Sequence, residues 1–425
     1  MDSNKQEQRE EVTKMVKQLD PKKFEVIKQT LPVVKEHGEA ITKKFYQRLF
    51  ESHPELKNMF NMTHQITGHQ PKALADAVYG AAANIEDLSQ IMPILERIGQ
   101  KHRSLQVKPE HYPIVGEHLL GAIKEILGDA ATDEILDAWA DAYQIISSAF
   151  IKMEEGFYKS AETQSGGWAG FKNFIIDRKV RESEVITSFY LKPEDGQALP
   201  SFLPGQYITV KVEIPQEEYT HLRQYSLSDR PGLDYFRISV KREGPKGEDI
   251  GPGVVSTDLH QLYNEGDVLP ISAPAGDFYL DVDSNRPVVL ISGGVGLTPV
   301  TSMLHTINAN QPDRKVVYIE AAQNGSVHAF REEVRKVSEQ NPNITSYFIY
   351  TQPSNEDREK EYFDREGYIT LEWLQEVLPS KDAQFYFCGP LPFMQVVNSA
   401  LNQWEVPEED IHYEFFGSFG NLEEA

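Results

Sequence analysis

Arg223, Gln224, Tyr225 and Ser226 stand together in the run Tyr219-Thr-His-Leu-Arg-Gln-Tyr-Ser-Leu-Ser, near the middle of a 425-residue chain. Alternation reads this run as a strand, and it sets a cation, an aromatic plane and a hydroxyl close together. A guanidinium suits phosphate oxygens, a phenol ring suits a stacked heterocycle, and a hydroxyl suits a ring nitrogen. That is the set a flavin with a diphosphate tail requires. Four such residues alone are more often an ordinary half-buried strand, so the neighbouring motifs must decide.

A second group lies nearer the N-terminus. His102 continues the apolar stripe of Ile91, Ile94, Leu95 and Ile98. Gln70 shares a face with Leu74, Ala77 and Val78, and Tyr46 shares one with Leu49 and Phe50. Buried polar groups need partners. A single histidine on such a face is usually a core residue bonded to backbone. Three polar intrusions into one helical core point instead to a cofactor with one strong axial ligand and a polar opposite side. Among twelve histidines, His102 is the preferred ligand. His111 reads as a loop residue and His118 as a packed helix histidine.

The elements that must position these residues follow from periodicity. Residues 1–20 are charged and polar and read as an extension. From 21 to 158 apolar residues recur at three- and four-residue spacing, broken at Pro54, Pro71, Pro93 and Pro109, which predicts an all-α domain. A small polar stretch, 159–168, reads as a connector. From 169 to 283 the period falls to two, predicting an antiparallel β-barrel closed by Ala273 to Leu280. From 284 to 425 strands and helices alternate, predicting an α/β doubly wound parallel sheet. There the apolar strand Pro287 to Ser292 meets a glycine turn, Gly293 to Gly296, and Leu297-Thr298-Pro299 opens a helix.

Composition bounds the partners. The formal net charge of −23 repels nucleic acid and anionic membranes, so neither is expected as a partner. One cysteine, Cys388, excludes an intramolecular disulfide and a cysteine-ligated cluster. With no signal-peptide pattern or long apolar run, a cytoplasmic monomer without membrane insertion is expected.

Taken together, Phe45-Tyr46, His53-Pro-Glu-Leu, Met59-Phe60-Asn61, Gln70, Gln100-Lys101-His102, Lys108-Pro-Glu-His-Tyr112 and Val115-Gly-Glu-His-Leu-Leu resemble the globin domain of bacterial flavohaemoglobins. The resemblance implies a b-type haem with His102 as the iron ligand. It implies Phe60 against the porphyrin, with Tyr46, Gln70 and Leu74 on the oxygen side. Tyr112 and Glu154 would stand beside His102. Pro204-Gly205-Gln206-Tyr207 with Arg-x-Tyr-Ser is similar to the flavin signature of the ferredoxin-reductase superfamily, which adds Tyr207 to the FAD contacts. In that superfamily the diphosphate also rests on a short helix opening at a Gly-x-x-Ser, here Gly253, Val254, Val255 and Ser256, after an extra loop from Gly244.

The glycine turn Gly294, Val295 and Gly296, with Leu297, Thr298 and Pro299, pairs in this superfamily with a later Cys388-Gly389-Pro390 at the nicotinamide site. The tail Glu414-Phe415-Phe416-Gly417-Ser418 resembles the family's C-terminal motif, with Ser418 where proline is usual. It implies Phe416 over the flavin and Glu414 near the flavin–haem gap with Lys101. Glu320 stands where the family usually has histidine, and an acid there is expected to meet ribose hydroxyls and favour NADH over NADPH. The implied activity is nitric oxide dioxygenase, taking NO, O2 and NAD(P)H, with electrons passing from nicotinamide to FAD to haem. A haem oxygen sensor or carrier, and a flavin diaphorase or ferric reductase, are the alternatives.

Overall fold

A computed structural model of the protein describes residues 19–425 apart from 63–64, 66–67, 216, 246–250, 418–421, 423–425 and the side chain of His69. The expected contact of Ser418 and the centre of the Gly244–Gly253 loop therefore lie outside the described residues. The chain divides into two compact units, residues 1–163 with 215–222, and residues 164–214 with 223–425.

Among the described residues five α-helices build the first unit: α1 Pro21–Ser52, α2 His69–Ala83, α3 Met92–Ser104, α4 His111–Leu127 and α5 Asp133–Thr163. Asp20 caps α1 by accepting from Lys22 N, and Pro21 occupies the first turn, where its missing N–H costs nothing. Pro71 and Pro93 likewise open helices rather than break them, and Pro54 begins a short 3-10 turn after α1. The stretch expected as a connector is helical through Thr163. Its polar composition marks an exposed helix end, which sequence cannot tell from a loop.

The second unit holds two sheets. Strands β1 Phe171–Arg181, β2 Ile186–Pro193, β3 Tyr207–Val212, β4 His221–Ser226, β5 Phe236–Lys241 and β6 Val268–Ser272 form a six-stranded sheet in the order β4-β3-β6-β1-β2-β5. A bridge from Leu227 to Ile238 brings its two edges together, so the antiparallel barrel is nearly closed. The closing stretch Ala273–Leu280 supplies only a bridge, Tyr207 to Ala275. Pro274 lacks a ladder donor and Gly276 sits at φ 118°, so Val268–Ser272 is the pairing strand instead. Helix α6, Val254–Gln261, follows β5.

The α/β lobe contains β7 Val288–Gly293, α7 Leu297–Asn310, β8 Val316–Ala322, α8 Arg331–Gln340, β9 Ile344–Tyr350, α9 Asn355–Glu359, β10 Arg365–Glu366, α10 Leu371–Val377, β11 Gln384–Cys388, α11 Leu391–Gln403 and β12 Ile411–Glu414. Its strands are parallel, in the order β10-β9-β8-β7-β11-β12. Both faces are covered by apolar clusters, one containing Leu290, Tyr318 and Tyr386, the other Ile291, Ile319 and Phe387, which is why these strands read as continuous apolar runs. Among the described residues no helix is long and apolar enough to cross a membrane.

Candidate functional site

In the helical unit, His102 lies in the last turn of α3, Tyr112 in the first turn of α4 and Glu154 inside α5. Two glycines let these helices close on one another. A Cβ on Gly99 would meet Met153 at 2.7 Å and Phe157 at 3.0 Å, and one on Gly116 would meet the Tyr143 ring at 2.5 Å. Gly99 is one turn before His102 and Gly116 one turn after Tyr112, so α3 and α4 both approach α5 closely.

The result is a three-residue contact. His102 Nδ1 is 2.7 Å from Glu154 Oε1 and 3.2 Å from the Tyr112 hydroxyl, and that hydroxyl donates to Glu154 Oε1 at 2.7 Å. Glu154 and Tyr112 are 2% and 8% exposed. Burial, then the Glu154 charge, pushes the Tyr112 phenol far above its ordinary value. With Nδ1 committed, the imidazole keeps Nε2 as the nitrogen for a metal, and a carboxylate behind a ligating histidine is the usual support for such a bond. This donor set fits haem iron.

Tyr46, on α1, is buried in the apolar cluster that also takes in Phe60, Leu74 and Val78. Its ring meets Phe60 edge-on at 5.6 Å. Burial pushes its phenol above the usual range, offset in part by the nearby Gln65 and Gln70 side chains. Gln65 was not singled out from sequence; it sits in a short polar run with no periodic signal. Lys101 is half-buried beside His102 on α3.

In the barrel, Gly205 stands at φ 114°, and a Cβ there would strike the Phe278 carbonyl at 2.5 Å, so the turn into β3 requires glycine. Tyr207 exchanges backbone bonds with Ala275 at 2.9 and 2.8 Å. On β4, Arg223, Gln224 and Tyr225 are half-buried and Ser226 is buried. Burial lowers the Arg223 pKa and raises that of Tyr225, and each also feels the other's charge. Glu243 acts on Tyr225 as well. Its carbonyl accepts from Gly253 N at 3.0 Å, which brings the start of α6 to this strand. Val255 and Ser256 are buried in the first turn of α6, and Ser256 Oγ accepts from Glu243 N at 3.1 Å. A desolvated guanidinium and a helix opening are each the kind of group that holds a diphosphate.

In the α/β lobe the strand order runs outward from β7 through β8, β9 and β10, then returns to β11 and β12 on the other side of β7. The reversal lies between β7 and β11, at the strands' carboxyl ends, where such folds bind dinucleotides. Both expected motifs sit there. Gly294 takes φ 59°, and a Cβ on Gly296 would collide with the Cys388 carbonyl, with Gly389 N next at 2.7 Å. Leu297, Thr298 and Pro299 are buried at the start of α7, and Thr298 Oγ1 donates to Val295 O at 3.0 Å. Cys388 is fully buried and Pro390 precedes α11. Glu414 ends β12 in register with Cys388, followed by Phe415, the exposed Phe416 and Gly417.

Glu320 departs from expectation. It is 1% exposed, and Ser292 Oγ donates to its Oε2. Burial pushes its pKa up to about 8, partly offset by hydrogen bonds from Ser292 and Tyr318. The carboxyl is buried beside Ser292 of the neighbouring strand instead of standing at the surface. Strand register, which places Glu320 beside Ser292, could have shown this.

Residues 43–150 match the globin family and residues 290–399 the oxidoreductase NAD-binding domain. A flavohemoprotein of Oceanobacillus iheyensis is 54% identical over 399 residues, covering 94% of this chain and 97% of the relative. One from Halalkalibacterium halodurans is 52% identical over 398 residues, again covering 94% and 97%. The chain belongs to the flavohemoprotein family. Among solved structures, the flavohemoglobin of Malassezia yamatoensis, crystallised with bound FAD and heme, aligns with a TM-score of 0.82 at 29% identity, covering 94% of this chain and all of that one. The FAD/NAD-binding domain of a nitric oxide dioxygenase from Vibrio cholerae aligns with a TM-score of 0.53 at 41% identity, covering 58% and 98%.

Proposed function

We propose that the protein is a nitric oxide dioxygenase that binds b-type haem in its helical unit and FAD and NAD(P)H in its second unit. When bound, the flavin accepts a hydride from NAD(P)H and passes electrons singly to the haem iron, which binds oxygen. For each NO, one O2 and one electron yield one nitrate, so one NADH supports two turnovers.

The chain's own residues have distinct parts. His102 holds the iron through Nε2. Glu154 and Tyr112 fix the imidazole by occupying Nδ1, and the carboxylate increases its electron donation. Tyr46, with Gln65 and Gln70 near it, is the donor available to a diatomic ligand, with Phe60 and Leu74 supplying apolar walls. Arg223 and the α6 start hold the diphosphate, while Tyr207, Gln224, Tyr225 and Ser226 hold the flavin. Gly294 to Pro299 and Cys388 to Pro390 receive the nicotinamide nucleotide. Phe416 would cover the flavin when it is bound.

The observation that carries this reading is the contact of His102 with Glu154 and Tyr112, in a chain that also carries a nucleotide-binding sheet. A diaphorase has no use for that contact. The test is NO consumption by the purified holoprotein with NADH and oxygen, scoring nitrate formed. His102→Ala should abolish NO consumption and the Soret band while NADH-driven dye reduction persists. Undiminished NO turnover in that variant overturns the reading.

A further inference from the structure

A buried cluster of charges joins the barrel to the α/β lobe inside the second unit. Arg237, on β5, is 3% exposed. Its Nη1 and Nη2 donate to Glu333 of α8 at 3.1 and 2.9 Å, its Nε donates to Ser228 Oγ at 3.1 Å, and its guanidinium lies 4.4 Å from the Phe330 ring centre. His305 of α7 reaches both lobes. Its Nδ1 is 3.3 Å from Asp229 Oδ1 on the barrel side, and its Nε2 is 2.9 Å from Glu333 Oε1. Ser302 Oγ donates to the Asp229 carbonyl at 2.7 Å, and the Tyr235 hydroxyl donates to Asp229 Oδ2 at 2.9 Å.

Two carboxylates within ion-pair distance of one buried imidazole favour its charged form. The electrostatics agree. Burial lowers the His305 pKa, but the neighbouring Asp229 and Glu333 carboxylates outweigh it and leave the group above its ordinary value. Burial pushes both carboxyls up, and His305 with Arg237 reverses this and holds both well below their usual range. The other groups acting on the cluster are Glu182, Tyr190 and Tyr318. Glu182 is itself pushed up by burial.

We propose that His305 and Arg237 are positioning residues for hydride transfer, locking the flavin-binding barrel to the nucleotide-binding lobe at the angle that brings nicotinamide to flavin. This rests on the reading that FAD and NAD(P)H dock in those two lobes. Loss of the His305 proton removes the charge that faces both carboxylates, and Asp229 and Glu333 are then left to the Arg237 guanidinium. Because a misplacement of about 1 Å costs about 100-fold in rate, even slight loosening should slow flavin reduction.

The test is anaerobic stopped-flow reduction of FAD by saturating NADH in the holoprotein between pH 6 and 9.5. The limiting rate of the wild type should fall several-fold as pH rises through the His305 titration. His305→Gln should be slower at pH 6 and lose that fall, with FAD content and flavin potential unchanged. Glu320→Gln, which removes the other buried acid of that lobe titrating near neutrality, should keep it. Arg237→Lys should recover part of the rate lost in Arg237→Met. A wild-type rate flat with pH, or a fall that survives in His305→Gln, overturns the proposal. The wild-type profile decides the matter should a variant lose its flavin. Normal pH-dependent flavin reduction without NO turnover would sink the dioxygenase reading and leave this one standing; no flavin reduction at any pH would overturn both.

Discussion

Glu154 in the helical unit and Glu320 in the parallel sheet are almost equally buried, at 2% and 1% exposure, yet their neighbours differ in kind. Glu154 receives the Tyr112 hydroxyl and stands 2.7 Å from an imidazole nitrogen. Its charge is felt by Tyr112, whose proton is held more tightly because of it. Glu320 has hydroxyl partners only, Ser292 and Tyr318, and burial wins, lifting its pKa to about 8. One buried acid thus stands behind a histidine, while the other is a mostly neutral acid at pH 7. Depth is the same for both; the neighbours within hydrogen-bond reach are what differ.

The comparison can be broken in three ways. Glu154→Gln keeps the shape and removes the charge behind His102. Loss of such a partner costs about 10- to 100-fold in metal affinity, so haem should dialyse out faster and the ferric/ferrous potential should rise. An unaltered potential in spectroelectrochemical titration would separate Glu154 from the iron. Tyr46→Phe removes the hydroxyl that lies near Gln65 and Gln70. A hydrogen bond to a charged partner contributes about 1.5–3 kcal/mol, so oxygen should leave the ferrous haem about tenfold faster or more, read by flash photolysis. An equal off-rate would remove Tyr46 from the ligand.

The smallest effect is expected at Glu320. Its folded pKa lies above the unfolded value of about 4.3, so the native state binds the extra proton between roughly pH 4.3 and 8. Stability linked to it is fully present below that window and declines as pH rises through it. Glu320→Gln lacks this decline, so the thermal midpoint of the variant should gain on the wild type by about a few degrees between pH 5 and 8. Parallel curves would mean that Glu320 is ionised throughout.

Several features of this chain were legible before any folding. The switch of apolar period from helical to two-residue spacing separates an all-α region from a barrel, and the glycine turn after an apolar run marks the end of β7. These are local properties, because side-chain direction repeats within a single element. His102 stood out from the other histidines for the same reason, as a polar group on an otherwise apolar stripe.

What was illegible depends on contacts between elements. Nothing local reveals that Gly99 and Gly116 admit α5 close enough for Glu154 to reach His102, or that Gln65 joins Gln70 at Tyr46. The order β8, β7, β11 puts Gly296 against Cys388, nearly a hundred residues later, and sets Glu320 beside Ser292. His305 looks like any histidine on an apolar helix until Asp229 and Glu333 arrive from two other elements. Periodicity states which face is buried. Only packing states which partner lies beneath it, and for a buried ionisable group the partner sets the charge.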